Sequence, residues 1–193
     1  GAYPAGAGRP GGGMRVTDGW IRTAGLQQVL ACLTGAGHRA YLVGGCVRNA
    51  LLGLPVTDLD IATDARPDQV VALCADAGLR TVPTGIDHGT VTVVADKVAY
   101  EVTTFRRDVE TDGRRAKVRY STAIEDDAAR RDFTMNALYL DAGGTLIDPL
   151  CGIDDLRARL EEAGDNSRML LNLRRRMARI RVFDPACGSG NFL

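Results

Sequence analysis

The chain has 193 residues, 45% of them apolar, and 24 lysines and arginines balance 24 aspartates and glutamates. That allows one ordinary domain with a real core plus additional elements, and a net charge of zero excludes a global cationic field, so any RNA contact has to be local. Five scattered cysteines without a Cys-x-x-Cys pair and only two histidines argue against a zinc site or disulfide framework, and no apolar run nears the roughly 20 residues of a membrane span, so a cytoplasmic protein without a membrane partner is expected.

The glycine- and proline-rich start, residues 1–13, predicts a disordered leader. Leu26, Val29, Leu30 and Leu33 recur at helical spacing, which predicts an amphipathic helix over Thr23 to Gly35. Tyr41 to Val43 reads as a short strand, Val47 to Leu52 as a helical turn or two, Leu59 to Ala62 as a second strand and Arg66 to Ala77 as a helix. The β-branched runs Thr90 to Val94 and Val98 to Thr103 predict an antiparallel hairpin whose turn lacks the favoured glycine. Phe105 to Tyr120, charged and aperiodic, reads as a mobile loop or a poorly packed hairpin whose arginines suit phosphate. Further elements are a helix over Glu125 to Arg131, an apolar run over Phe133 to Leu140, a turn at Asp141 to Gly144, a short strand at Thr145 to Ile147 and a helix over Ile153 to Leu160. Strands and helices mix without a βαβ repeat, so the class is α+β with a small mixed sheet flanked by helices.

Chemistry concentrates in four segments. Asp58 and Asp60, spaced by two on a strand, would project together, and paired carboxylates suit Mg²⁺ with substrate phosphates. Upstream, Gly44-Gly45 followed by Arg48 marks either a cradle where backbone approaches a polyphosphate or a plain strand-to-helix turn. Glu101 lies inside an apolar strand, where an unpaired carboxylate is costly. It reads as a third oxygen ligand, as the group that orients or deprotonates an attacking hydroxyl, or as an edge residue facing solvent. Arg130 to Leu138 places Arg131, Asp132 and Asn136 just before apolar residues, which suits a ribose and phosphate wall or a basic helix end.

Together, Leu42-Val-Gly-Gly-Cys-Val-Arg48, Asp58-Leu-Asp60, Glu101-Val-Thr-Thr-Phe-Arg106, Arg130-Arg-Asp-Phe-Thr-Met-Asn-Ala137 and Asp148-Pro-Leu-Cys-Gly-Ile-Asp-Asp-Leu156 resemble, in order and spacing, the motifs of class II tRNA nucleotidyltransferases and related bacterial poly(A) polymerases. The resemblance covers about residues 21–165 and implies a polymerase β-like head that adds CMP and AMP from CTP and ATP to a tRNA 3′ end. It implies Mg²⁺ held by Asp58 and Asp60, Glu101 completing the carboxylate set, and Gly44, Gly45, Arg48, Arg131, Asp132 and Asn136 binding nucleotide. Asp148 would sit at the junction of head and neck. The implied division is a leader over 1–20, the head over 21–150, a shortened helical neck over 151–181 and a tail over 182–193.

Three departures carry expectations. Asn49 follows Arg48 where the family usually has Asp, and Cys151 replaces a glycine. The family's base-selecting neck residues have no counterpart after Asp165, which predicts weak transfer with poor choice among triphosphates, and Leu170, Leu171 and Leu173 are expected to be uncovered and to promote self-association. The last eleven residues, Phe183 to Leu193, are similar to the S-adenosylmethionine motif of adenine-N6 DNA methyltransferases, and the six arginines between Asn166 and Phe183 read as a solvated face or an RNA contact. Competing readings are a poly(A) polymerase, a fragment that binds nucleotide or RNA without turnover, and a methyltransferase relic.

Overall fold

The computed structural model describes residues 14–109 and 117–163. In chain order these form α1 (Ala24–Gly35), β1 (Ala40–Val43), α2 (Gly45–Leu51), β2 (Asp60–Thr63), α3 (Pro67–Asp76), β3 (Arg80–Gly85), β4 (Thr90–Ala95), β5 (Val98–Thr104), β6 (Arg106–Val109), β7 (Lys117–Tyr120), α4 (Ile124–Ala129), β8 (Tyr139–Leu140), β9 (Leu146–Ile147) and α5 (Gly152–Ala163). Single 3₁₀ turns span Gly19–Arg22, Ile86–His88 and Thr134–Asn136. Seven strands make one mixed sheet in the order β3-β4-β5-β2-β1-β8-β9, and β6 and β7 pair separately.

Alternation along the strands sorts the sheet into two faces. Leu42, Ile61, Val91, Val93, Val102 and Leu140 point to one side and pack with Leu26, Leu30 and Leu33 of α1 and Val70 and Cys74 of α3. Val43, Ala62, Phe105 and Tyr139 point to the other, under Ile124 and Ala128 of α4. One row crosses the second face, because Tyr139 pairs with Val43, Val43 with Asp60, Asp60 with Glu101, and Glu101 with Thr92. α4 covers the apolar end of that row, and Asp60, Glu101 and Thr92 stay half-buried.

The α+β expectation holds, with four local differences. β3 is an element the sequence reading left unassigned. It carries Pro83 at the sheet's edge, where the register breaks between Val82 and Gly85, a position at which a missing N–H costs no ladder bond. The β4–β5 turn is closed by Asp96 and Lys97, both at positive φ (48° and 64°), so the chain adopts the tight hairpin geometry without glycine. Of the alternatives for residues 105–120, the described part is a hairpin, pairing Arg107 with Arg119, and its first residues are well packed, with Phe105 and Arg106 fully buried. Finally, residues 14–20, assigned to the leader, dock on the sheet edge. Arg15 bridges Thr145, the Val16 N–H donates to the Gly144 carbonyl at 2.9 Å, and Val16 is buried.

α5 starts where the neck was expected. The Asp148 carboxylate accepts from the Gly152 and Ile153 N–H groups at 2.8 and 3.0 Å, satisfying donors that a helix start leaves open. Leu156 of α5 packs on Met135 and Leu52. The rest of the neck, the leucines at 170–173 and the tail lie outside the described residues. No helix among the described residues is long and apolar enough to cross a membrane.

Candidate active site

The turn between β1 and α2 brings three predicted site residues together. Gly44 adopts φ 77° and ψ −131°, a backbone region closed to side-chain-bearing residues. A methyl group built there would lie 3.7 Å from Arg131 Nη1 and 3.8 Å from Asp60 Oδ2, so the glycine holds open the space between a guanidinium and a carboxylate. Cys46 packs against the Asp60 backbone, and burial together with the Asp60 charge pushes its thiol up to about 12, leaving it inert.

Across the parallel pair, Glu101 stands opposite Asp60, and the Glu101 N–H donates to the Leu59 carbonyl at 3.3 Å. Burial and the neighbouring Asp58 charge raise the Glu101 carboxyl above its ordinary range. Asp58 itself departs from the expected shared strand. β2 begins at Asp60, and Asp58 precedes it in an exposed segment, where its Oδ2 accepts from the Thr57 hydroxyl at 3.2 Å.

The three carboxylates therefore do not form a closed cage, contrary to the convergence expected from sequence. No group of three or more His, Cys, Asp or Glu side chains among the described residues is gathered as an ion site. The donor set nonetheless fits a divalent cation, because it is all hard carboxylate oxygen, and burial together with the Asp58 charge leaves Glu101 reluctant to ionise without a cation beside it.

Arg48 is only 4% exposed and its polar partners are neutral. Its Nη1 donates to Asn136 Oδ1 at 2.8 Å, and Nη2 and Nε donate to Asn49 Oδ1 at 3.1 and 3.3 Å. Burial lowers its pKa, while the nearby Cys46 and Asp132 act in the opposite sense. Asn136, 1% exposed, thus supports Arg48, and its Nδ2 is a buried donor without an acceptor. Gly45 lies beside Arg48 Nη2, and Asp132 is exposed. The predicted residues accordingly fall into three adjoining groups: Gly44, Asp60 and Arg131; Asp58 and Glu101; Gly45, Arg48, Asp132 and Asn136.

Sequence reasoning missed the buried anion beneath this wall. Asp127 of α4 is 1% exposed and accepts from Arg130 Nε (3.0 Å), Arg131 Nε (3.2 Å) and Nη2 (2.9 Å), and the Tyr139 hydroxyl (2.8 Å). Burial opposes its ionisation, but the charges of Arg131 and Arg130 and the bonds from Arg131 and Tyr139 outweigh it and hold the carboxyl below its ordinary range. The Arg131 guanidinium lies over the Tyr139 ring, 5.7 Å from its centroid. The available signal was an Asp three and four residues before Arg130 and Arg131 on one helical run.

Known proteins resemble this chain in sequence and shape. The CCA-adding enzyme of Anoxybacillus flavithermus is 46% identical over 140 residues, covering 71% of this chain and 34% of that protein. That of Streptococcus gordonii is 48% identical over 137 residues, covering 70% and 33%. The chain thus spans about a third of the length of these relatives. The crystal structure of the Bacillus stearothermophilus CCA-adding enzyme in complex with CTP superposes with a TM-score of 0.62 at 41% identity, over 75% of this chain and 35% of that one. A tRNA nucleotidyltransferase complexed with a primer tRNA and an incoming ATP analog gives a TM-score of 0.52 at 31% identity, over 67% and 36%. Residues 160–193 match the pattern described as the MmeI DNA-methyltransferase domain. The pattern described as the poly A polymerase head domain matches residues 40–161, more than half of the chain and all of the strands that carry the site, and the protein belongs to that family.

Proposed function

We propose that this chain is a nucleotidyl-transfer head that adds CMP and AMP, from CTP and ATP, to the 3′ end of tRNA with Mg²⁺. The observation that carries the reading is Asp60 facing Glu101 in register beside the Gly44 turn and the Arg131 guanidinium. The likeness to CCA-adding enzymes, one solved with CTP, supports the substrate class. Poly(A) addition is the nearer alternative, favoured by the name of the matching pattern.

In this reading Gly44 and Gly45 keep side chains out of the space where the triphosphate lies, and Arg131 and Arg48 set positive charge beside it. Asp58 and Asp60 would hold the metal with Glu101 alongside, and a divalent cation bound there supplies acidity to the primer 3′ hydroxyl and charge relief to the leaving pyrophosphate. Glu101 also orients the attacking hydroxyl. The 3′ oxygen forms a bond to the α-phosphorus as the bond to pyrophosphate breaks, and the hydroxyl proton passes to solvent.

The test incubates the purified chain with Mg²⁺, each labelled triphosphate in turn and a tRNA lacking its terminus, beside Asp60→Ala. Incorporation of C and A that disappears in the variant supports the proposal. Incorporation of A alone supports poly(A) addition. Triphosphate binding without incorporation supports a non-catalytic nucleotide-binding module.

A further inference from the structure

We infer that Asp127 is a positioning residue for nucleotide binding, acting through Arg131 by fixing its guanidinium so that one terminal nitrogen faces the space above Gly44. The inference rests on the nucleotide reading above for the identity of the anion.

The geometry divides the Arg131 side chain into a held half and a presented half. Nε and Nη2 both donate to Asp127 Oδ2, and the guanidinium plane is backed by the Tyr139 ring. Nη1 is the nitrogen left over, and it is the one beside Gly44, across from Asp60. Tyr139 sits in the same sheet row as Val43 and Asp60, and its hydroxyl donates to the same Oδ2. Asp127 therefore ties α4 to that row and sets where the Arg131 charge stands relative to the carboxylates. An arginine without such anchoring spreads over many rotamers, and a ligand has to order it on binding, whereas an anchored one meets a phosphate already placed.

A merely structural Asp127 and a positioning Asp127 differ in one measurable respect, namely whether its effect on anion binding passes through Arg131. Isothermal titration of the whole chain with inorganic triphosphate, on Asp127→Asn, Arg131→Gln and the double variant, separates them. Asp127→Asn is expected to weaken binding about tenfold, and in the Arg131→Gln background it is expected to change affinity less than about twofold. The double variant removes both charges of the buried pair and is expected to fold better than Asp127→Asn, which strands a guanidinium.

If Asp127→Asn does not fold, Tyr139→Phe serves in its place. It removes one donor from Oδ2 and no charge, and is expected to weaken binding about threefold in the unaltered background and not at all beside Arg131→Gln. Equal losses in both backgrounds overturn the inference and leave the nucleotide reading intact. Failure of the unaltered chain to bind triphosphate overturns both.

Discussion

Asp60 and Glu101 stand directly opposite each other on the parallel strands β2 and β5. Strand register thus places two acidic residues side by side, both of them half-buried.

The Glu101 carboxyl is raised by burial and by Asp58, so the folded chain holds this proton more tightly than the unfolded chain does. Its stabilising contribution is complete below the ordinary glutamate range and is lost as pH rises through the raised folded value. Glu101→Gln is therefore expected to raise the Tm near pH 7 in chelator-treated buffer, with the gap closing as the buffer is taken below the ordinary range. Thermal unfolding at a series of pH values checks this. A gap that widens on acidification contradicts it.

Gly44→Ala places a Cβ where φ is 77° and in contact range of Arg131 and Asp60. The backbone strain is expected to cost about 1–3 kcal/mol, and the lost space to weaken triphosphate binding as well. Urea unfolding and titration calorimetry on the same variant read the two effects separately. An unchanged midpoint would show that the turn accepts a side chain.

Asn49 gives Arg48 a neutral acceptor, leaving its charge available to the site. Asn49→Asp supplies a carboxylate at the same place, and is expected to raise the Tm while weakening CTP binding about threefold to tenfold, since the new charge offsets the guanidinium. Direct binding of CTP by both proteins at one ionic strength decides it. Equal or tighter binding by the variant would place Arg48 outside the electrostatic reach of the phosphates.

Cys151 adopts φ 58°, the left-handed region that favours glycine, at the residue before α5. Relief of that strain, about 1–2 kcal/mol, exceeds the extra backbone entropy of glycine, about 0.5–1 kcal/mol. Cys151→Gly is expected to stabilise the fold by about 0.5–1 kcal/mol, a Tm gain of roughly 1–4 °C. Differential scanning calorimetry measures it, and a lower Tm would mean that the Cys151 side chain contributes packing the strain conceals.

Much of this organisation was legible because local pattern and fold agree. The helical spacing of Leu26, Leu30 and Leu33 gave α1, and the β-branched runs gave β4 and β5. β3 escaped because Pro83 and its threonines carry no alternation signal, and an edge strand is defined by its neighbour more than by its own residues. Asp58 and Asp60 were read as sharing a strand face, but the strand starts only at Asp60, since boundaries depend on pairing that sequence does not display. Asp127 escaped for a related reason. Among the acids at Glu125, Asp126 and Asp127, only packing against Tyr139 and Arg131 distinguishes the buried one. Asn136 was assigned to the nucleotide, and nothing in its sequence setting showed that its carbonyl oxygen is turned to Arg48.

The row that runs through Tyr139, Val43, Asp60, Glu101 and Thr92 draws on five strands spread over nearly a hundred positions of the chain, with β1 wedged between β2 and β8. A ribosome delivers these strands several seconds apart at about 5–20 residues per second. The acidic pair of β2 and β5 can form early, but the tyrosine that seats Arg131 is delivered last. A nascent chain therefore acquires Arg48 and its carboxylates before Arg131, and the row closes late in synthesis, when β8 joins β1.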